Sequence, residues 1–248
     1  MTLNHTVSPD FSPDHIAGWY VFNTWLQRRL DVRIHLELFD DFESQRAAIG
    51  EGRIDMIYAN PFDAAMLVRE HGFTAVAAPL GKQDEVIVAV AAESSVEHVE
   101  DLQPGTRIAM TSDPDVNLIG MIMLEPADLS PQNTSKVFAP SYVLVAKQLL
   151  QGKCDVGFFL KEAYGDLSQM IRKNLRVLVT SQISVVRHVM LVGPKARPLL
   201  EPMRAALLGM TNDAQGQGVL QSLGLPGWQP QSEEDTEFMI DLMDTLMV

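Results

Sequence analysis

Hydrophobic and polar positions alternate along this chain in two rhythms. Period-two runs read as strands and period-3.6 runs as helices. Asn4–Ser8 predicts a short strand. A helix is expected from Pro13 to about Leu30, where Ile16, Trp19, Tyr20, Phe22, Trp25 and Leu26 recur at helical spacing. Val32–Phe39 alternates apolar with polar and predicts a strand. Phe42–Gly50 predicts a helix stopped by Gly50-Glu51-Gly52. Ile54–Ala59 predicts a strand, and Pro61–Glu70 a helix with proline at its start. Phe73–Leu80 is strand-like again. A β-α-β-α-β order of this kind predicts a parallel sheet with helices on both faces.

Glu85–Ala92 predicts a long apolar strand, and a polar turn at Glu100–Gly105 follows. The pattern then restarts. Strands are expected at Arg107–Met110, Lys136–Phe138, Cys154–Phe159 and Leu175–Thr180. Helices are expected at Asp115–Leu124, Tyr142–Leu150 and Glu162–Lys173. Val185–Val192 predicts another long apolar strand. Helices at Arg197–Leu208, Gly218–Leu223 and Asp235–Leu246 complete the reading. The expectation is two α/β lobes, one formed by residues 1–88 with 190–248 and the other by 89–189. Glu85–Ala92 and Val185–Val192 would cross between them. No short-period repeat is present, which removes solenoids.

Composition narrows the function. The 248 residues are 46% hydrophobic and 21% charged, ordinary for a globular chain. Lys+Arg number 19 against 32 Asp+Glu, a net charge of −13. A duplex binder needs clustered cations to displace phosphate counterions, so nucleic acid is disfavoured as a partner. No apolar run reaches the length of a membrane span. The N-terminus has no basic start and no apolar h-region. As written the chain reads as cytoplasmic, or as periplasmic if a leader has been removed. Cys154 is the only cysteine, expected to be a small buried hydrophobe. The six histidines are not at ligand spacing, and no metal or cofactor is called for. The 13 methionines fall at core-like positions such as Met203, Met239 and Met243. Walker, Rossmann and nucleophile-elbow motifs are all missing.

Several phrases carry a resemblance. Phe42–Asp55 pairs a short helix and a glycine with a strand-opening aspartate. Tyr58-Ala-Asn-Pro-Phe-Asp-Ala-Ala65 runs from a strand end into a helix. Val99-Glu-Asp-Leu-Gln-Pro-Gly-Thr-Arg-Ile-Ala109 and Ser141–Gly157 follow in order. Together they resemble the type II periplasmic-binding-protein superfamily, on its phosphate/phosphite/phosphonate-binding (PhnD-like) branch of ABC transporter substrate-binding proteins. The resemblance spans about residues 2 to 210 and implies a two-lobed α/β fold. It implies a ligand cleft between lobes joined by two crossing strands, a small anionic ligand and hinge closure. It also implies an ABC permease or a regulatory protein as partner. No catalytic residue is required. The alternatives are a cytosolic enzyme on the same scaffold, menaquinone-pathway or pyrimidine-synthase-like, and an effector-sensing module. An enzyme would draw its acid or base from Asp113, Asp115 or Glu162.

In open α/β sheets, ligands sit beyond the carboxyl ends of strands. That rule selects Ser8 and Phe11, where Asp10 or Ser12 could instead simply cap the next helix. It also selects Tyr58 and Asn60, with Asn60 as the cap of the helix at Pro61. Asp113, Asp115 and Asn117 open the next helix, where the resemblance would place neutral hydroxyls. Ser141 and Tyr142 follow, Tyr142 standing where the family often has His. Phe159 and Lys161 complete the set, with Lys161 the cation an anionic ligand needs. His188 is expected to be a satisfied or surface-facing histidine within an apolar strand.

Overall fold

The computed structural model describes residues 2–247. Met1 and Val248, the two ends of the first expected lobe, lie outside the described residues. The chain divides into two compact units, one of residues 2–83 with 187–244 and the other built on residues 84–186.

The first unit opens with β1 (Thr2–Val7), α1 (Ile16–Leu30), β2 (Arg33–Leu36), α2 (Phe42–Gly50), β3 (Met56–Ala59), α3 (Pro61–His71) and β4 (Thr74–Pro79). The second unit carries β5 (Val86–Ala91), β6 (Arg107–Met110), α4 (Pro114–Ile122), β7 (Ser135–Phe138) and α5 (Tyr142–Leu150). It continues with β8 (Val156–Leu160), α6 (Lys161–Asp166), α7 (Gln169–Lys173) and β9 (Leu175–Thr180). The chain then returns with β10 (Val189–Val192), α8 (Leu200–Leu208), α9 (Ala214–Leu223), β11 (Trp228–Pro230) and α10 (Glu233–Met247).

The first sheet has the order β11-β4-β10-β3-β1-β2. Strands β2, β1 and β3 are parallel, as expected. The sheet is nevertheless mixed, because β10 inserts antiparallel between β3 and β4, and β11 pairs antiparallel on the edge. Its two faces hold separate cores. One gathers Phe22, Leu26, Met56, Met203 and Leu207 beneath α1, α8 and α9. The other gathers Ile57, Ala64, Leu67, Leu191 and Met239. The edge strand β11 ends at Pro230, and an edge is where a strand tolerates proline.

The second sheet has the order β7-β6-β8-β5-β9. Here β7, β6 and β8 are parallel, while β5 lies antiparallel to both β8 and β9. Ile87 and Ala89 of β5 face a core with Val145, Leu149 and Phe159. On α4, Gly120 lies so close to Phe158 that a Cβ would stand 2.5 Å from the ring.

Three expected elements differ. The helix expected over Glu162–Lys173 is two short helices, because buried Leu167 and Ser168 adopt extended backbone and Ser168 caps the second. The helix expected from Arg197 begins as a 3-10 segment, Pro194–Leu199, with Pro198 inside it, and turns α-helical only at Leu200. The strand expected over Val185–Val192 starts only at Val189. Residues before it form the second chain crossing, bent by Ser184 at φ 57°. Within the second unit, Asp84 N–H donates to the Val186 carbonyl at 2.8 Å, so the two crossing segments run side by side. Glu85 fastens them, its carboxylate accepting from the Ser181 hydroxyl and from the N–H groups of Ile183 (3.1 Å) and Ser184 (2.8 Å). Burial pushes the Glu85 carboxyl up. Those hydrogen bonds and the charge of Lys161 outweigh burial and hold it below its usual range.

Candidate functional site

In each unit the segments just past the parallel strands collect the polar side chains. Ser8 follows β1, and its N–H donates to the Tyr58 carbonyl at 2.8 Å. Asn60 follows β3 and caps α3, its Oδ1 accepting from Asp63 N–H at 2.7 Å. The Asn60 amide also donates to Ser8 Oγ at 3.0 Å. Phe11 N–H donates to the Ser8 carbonyl at 3.3 Å, and the Phe11 ring packs against the core. Ser8, Phe11, Tyr58 and Asn60 therefore form one cluster.

Two residues join this cluster by a route that local sequence does not reveal. Asp10 caps no helix. It pairs with His188, whose Nε2 stands 3.1 Å from one carboxylate oxygen and 3.2 Å from the other. Ser12, at the helix start, makes no side-chain cap either. Burial raises the Asp10 carboxyl. The neighbouring His188, with hydrogen bonds from the His188 ring and the Ser8 hydroxyl, more than offsets this and holds it below the ordinary aspartate range. The His188 ring stacks on Tyr58 at 5.1 Å between centroids. Tyr58 also meets Trp19 at 4.9 Å and Trp228 at 6.0 Å. It is thus a core residue on one side and the floor beneath His188 on the other. The only sequence signal for this arrangement was a histidine embedded in an apolar run.

The second unit holds a different cluster. Asp113 caps α4, accepting from Val116 N–H at 3.2 Å, with Pro114 behind it. Its other oxygen accepts from the Tyr142 hydroxyl at 2.9 Å. Asp115 is 1% exposed. The Asn117 amide donates to the Thr111 carbonyl at 2.8 Å, and its buried Oδ1 has no hydrogen-bond partner among the described residues. Ser141 caps α5 through Leu144 N–H at 3.4 Å. Phe159 is fully buried and lies 6.1 Å from Tyr142, supporting that ring from the core side. Exposed Lys161 starts α6 and donates its N–H to the Glu85 carbonyl at 2.8 Å, so its backbone belongs with the crossing segments. Glu162 is exposed and Cys154 is buried. Burial raises the Cys154 thiol, against the opposing pull of Arg107.

In each unit capped helix starts, aromatic rings and carboxylates lie at the carboxyl ends of the parallel strands, the place where open α/β sheets hold ligands. Solved structures share the whole architecture. The chain superposes on XAC2383 from Xanthomonas citri bound to chloride ion with a TM-score of 0.82, at 16% identity over 99% of this chain and 98% of that one. PhnD1 from Prochlorococcus marinus in complex with methylphosphonate gives 0.81, at 12% identity over 99% and 98%. The alkanesulfonate-binding protein SsuA from Xanthomonas axonopodis pv. citri bound to MOPS gives 0.65, at 16% identity over 99% and 93%. The fold is therefore that of two-lobed, type II periplasmic-binding proteins. No curated protein matches the chain. The model of the family described as "ABC transporter, phosphonate, periplasmic substrate-binding protein" matches residues 5–236. The chain belongs to that family, and it is a small-molecule-binding protein of the ABC transporter type. Among the described residues, no helix is long and apolar enough to cross a membrane.

Proposed function

We propose that this protein captures a small ligand with an anionic head, a phosphate, phosphonate or carboxylate, and presents it to an ABC permease in the periplasm. The family match across residues 5–236 is the observation that supports this most. Ser8, Phe11, Tyr58 and Asn60 of the first unit contact the ligand, as do Asp113, Asp115, Asn117, Ser141 and Tyr142 of the second. Phe159 backs Tyr142, and Lys161 supplies a cation. Helix starts at Pro61 and Tyr142 favour the anionic head through their backbone N–H groups and dipoles. The paired crossings near Asp84 and Val186 absorb the rotation of closure.

A second reading is favoured by one specific observation. Asp113 and Asp115 are buried carboxylates where an anion binder would place neutral donors. Like charges about 4 Å apart repel by roughly 4 kcal/mol at an effective dielectric of 20. These residues suit a ligand that also carries an ammonium or another donor group. Calorimetry at pH 7 separates the readings, with phosphate, methylphosphonate and acetate set beside 2-aminoethylphosphonate and simple amines. The leading reading expects binding of at least one simple anion. Binding confined to amines would make Asp113 and Asp115 the primary contacts.

A further inference from the structure

Away from the strand ends, α1 and α9 of the first unit border an open groove of about 560 Å3. That lies within the usual range for small-molecule sites, roughly 300–1,000 Å3. Three features of its lining bear on what it could hold. The first is Gly218. Glycine inside a helix costs about 1 kcal/mol relative to alanine, so it needs a reason. In the same helix Gly216 has one, because a Cβ there would stand 2.1 Å from the Met210 carbonyl oxygen. Gly218 has none, because a Cβ built there meets no heavy atom within 4 Å. Its missing side chain keeps the groove open.

The second feature is Trp25. Its side chain lines the groove and the residue is only 6% exposed, yet its indole Nε1 has no hydrogen-bond partner among the described residues. That nitrogen is shielded from solvent, so it is the ring of Trp25 that reports on the groove. The third is charge. The lining contains Arg28 and Arg29 and no carboxylate. Arg29 sits over the Trp25 ring at 5.4 Å and is neutralised by Asp213. Arg28 makes no ion pair among the described residues. Around these groups the surface is apolar, with Tyr20 54% and Val21 48% exposed on α1.

We propose that this groove is a second ligand site, for a small amphiphilic carboxylate with an aromatic or branched apolar body. The body lies over Gly218 against Tyr20, Val21 and Trp25. The carboxylate pairs with Arg28 at the edge of the groove. The site is independent of the ligand site at the strand ends, and its occupant differs from a bare phosphate or phosphonate in needing the apolar body.

The test uses the intact protein with nitrogen-15-labelled tryptophan and follows the three indole N–H resonances, that of Trp25 being assigned through Trp25→Phe. The probe is 3-phenylpropionate. Its neutral amide is the control for charge, and methylphosphonate is the control for the strand-end site. The Trp25 resonance should shift saturably with 3-phenylpropionate, and the amide should bind about tenfold or more weakly, as expected on losing a charge-assisted hydrogen bond. Arg28→Gln, a change at an exposed position, should weaken the probe by a similar factor. Gly218→Leu should fill the groove and abolish the saturable shift while the protein stays folded by circular dichroism. An unmoved Trp25 resonance, equal binding of the amide, or undiminished binding to Gly218→Leu would each overturn the proposal. Because methylphosphonate is measured separately, failure here leaves the proposed transport function to stand or fall on its own.

Discussion

The two units solve the same local problem with opposite chemistry. Each must begin a helix immediately past a parallel strand and leave a polar surface there. The first unit uses a neutral cap, Asn60, tied to Ser8, and balances the nearby carboxylates with cations, half-buried Asp10 with His188 and buried Asp63 with Arg46. The second places the charge in the cap itself, Asp113, with a tyrosine hydroxyl against it and buried Asp115 two residues on. A cap needs only an oxygen that accepts a hydrogen bond, and Asn and Asp serve it almost equally well. The choice between them is therefore open to be set by what else must bind nearby. The difference between the units at these helix starts is one of charge, not of fold.

The largest expected effect probes how tightly each unit is packed. In Gly18→Ala, the new Cβ would stand 2.2 Å from the Ser222 carbonyl oxygen, so α1 and α9 would have to separate. Backbone on both sides gives little room, and a loss of about 3 kcal/mol or more is expected. For a chain of this size that corresponds to a melting point lower by roughly 6–12 °C. Gly120→Ala in the second unit meets the Phe158 ring, a side chain that can turn slightly, and should cost about 1–3 kcal/mol. Differential scanning calorimetry of both variants checks the order. A larger loss from Gly120→Ala would make the second unit the more rigid one.

Acid should distinguish the units next. His5 is fully buried in the first unit between Trp19, Phe22 and Asn23. Burial pushes its imidazole down to about 4, against a smaller opposing pull from the Asn23 hydrogen bond. The unfolded chain takes up the proton near pH 6.5, before the folded chain does. Stability is therefore complete above about pH 6.5 and falls as the pH drops toward 4. From pH 7.5 to pH 5.0 the expected loss is about 2 kcal/mol. Urea titrations at the two pH values measure it, and His5→Phe should remove most of the difference. A wild-type transition that does not move between them would contradict the assignment.

Much of this was legible in the sequence, for a reason that also sets the limit. Caps and helix starts are local, so Asn60-Pro61, Asp113-Pro114 and Ser141 could be read as helix openings from a few residues each. Strand direction is not local. Nothing in Val189–Val192 indicates that it inserts antiparallel between β3 and β4, because an apolar run buried on both faces reads the same in either direction. Val185 and Val186 just before it are equally apolar yet belong to a chain crossing, which Glu85 fixes from about 98 positions away. The Asp10–His188 pair spans 178 positions, so each residue alone suggested only a cap or a stray histidine. Trp228–Pro230 is too short, and ends on the wrong residue, to register as a strand.

Exchanging the caps tests whether charge is what separates the two units in binding. Asp113→Asn keeps an equivalent cap and removes one buried negative charge. If the ligand head is anionic, affinity for methylphosphonate should rise about tenfold, a change of roughly 1.4 kcal/mol. Asn60→Asp should lower it by a comparable factor, since it adds a charge beside Asp63 and near Asp10. Calorimetry on both variants reads the two changes, and a fall in affinity on Asp113→Asn would show that this carboxylate holds a donor on the ligand.

The smallest effect isolates a hydrogen bond made by the second unit's cap. The Tyr142 hydroxyl donates to Asp113 at 2.9 Å in a partly buried setting, while its ring rests near Phe159. Tyr142→Phe removes the hydroxyl and leaves the ring supported. Its expected cost is about 1 kcal/mol, a melting point lower by roughly 2–4 °C. Part of that cost arises because the bond ends on a charged oxygen. In an Asp113→Asn background the acceptor is a neutral amide, and the same substitution should cost about half as much, since hydrogen bonds to ionised groups are roughly twice as strong. The double-mutant cycle measures that difference directly. If the two substitutions are additive, the hydroxyl does not sense the charge on Asp113. The contrast between a charged and a neutral cap would then act on the ligand alone and not on the stability of the unit that carries it.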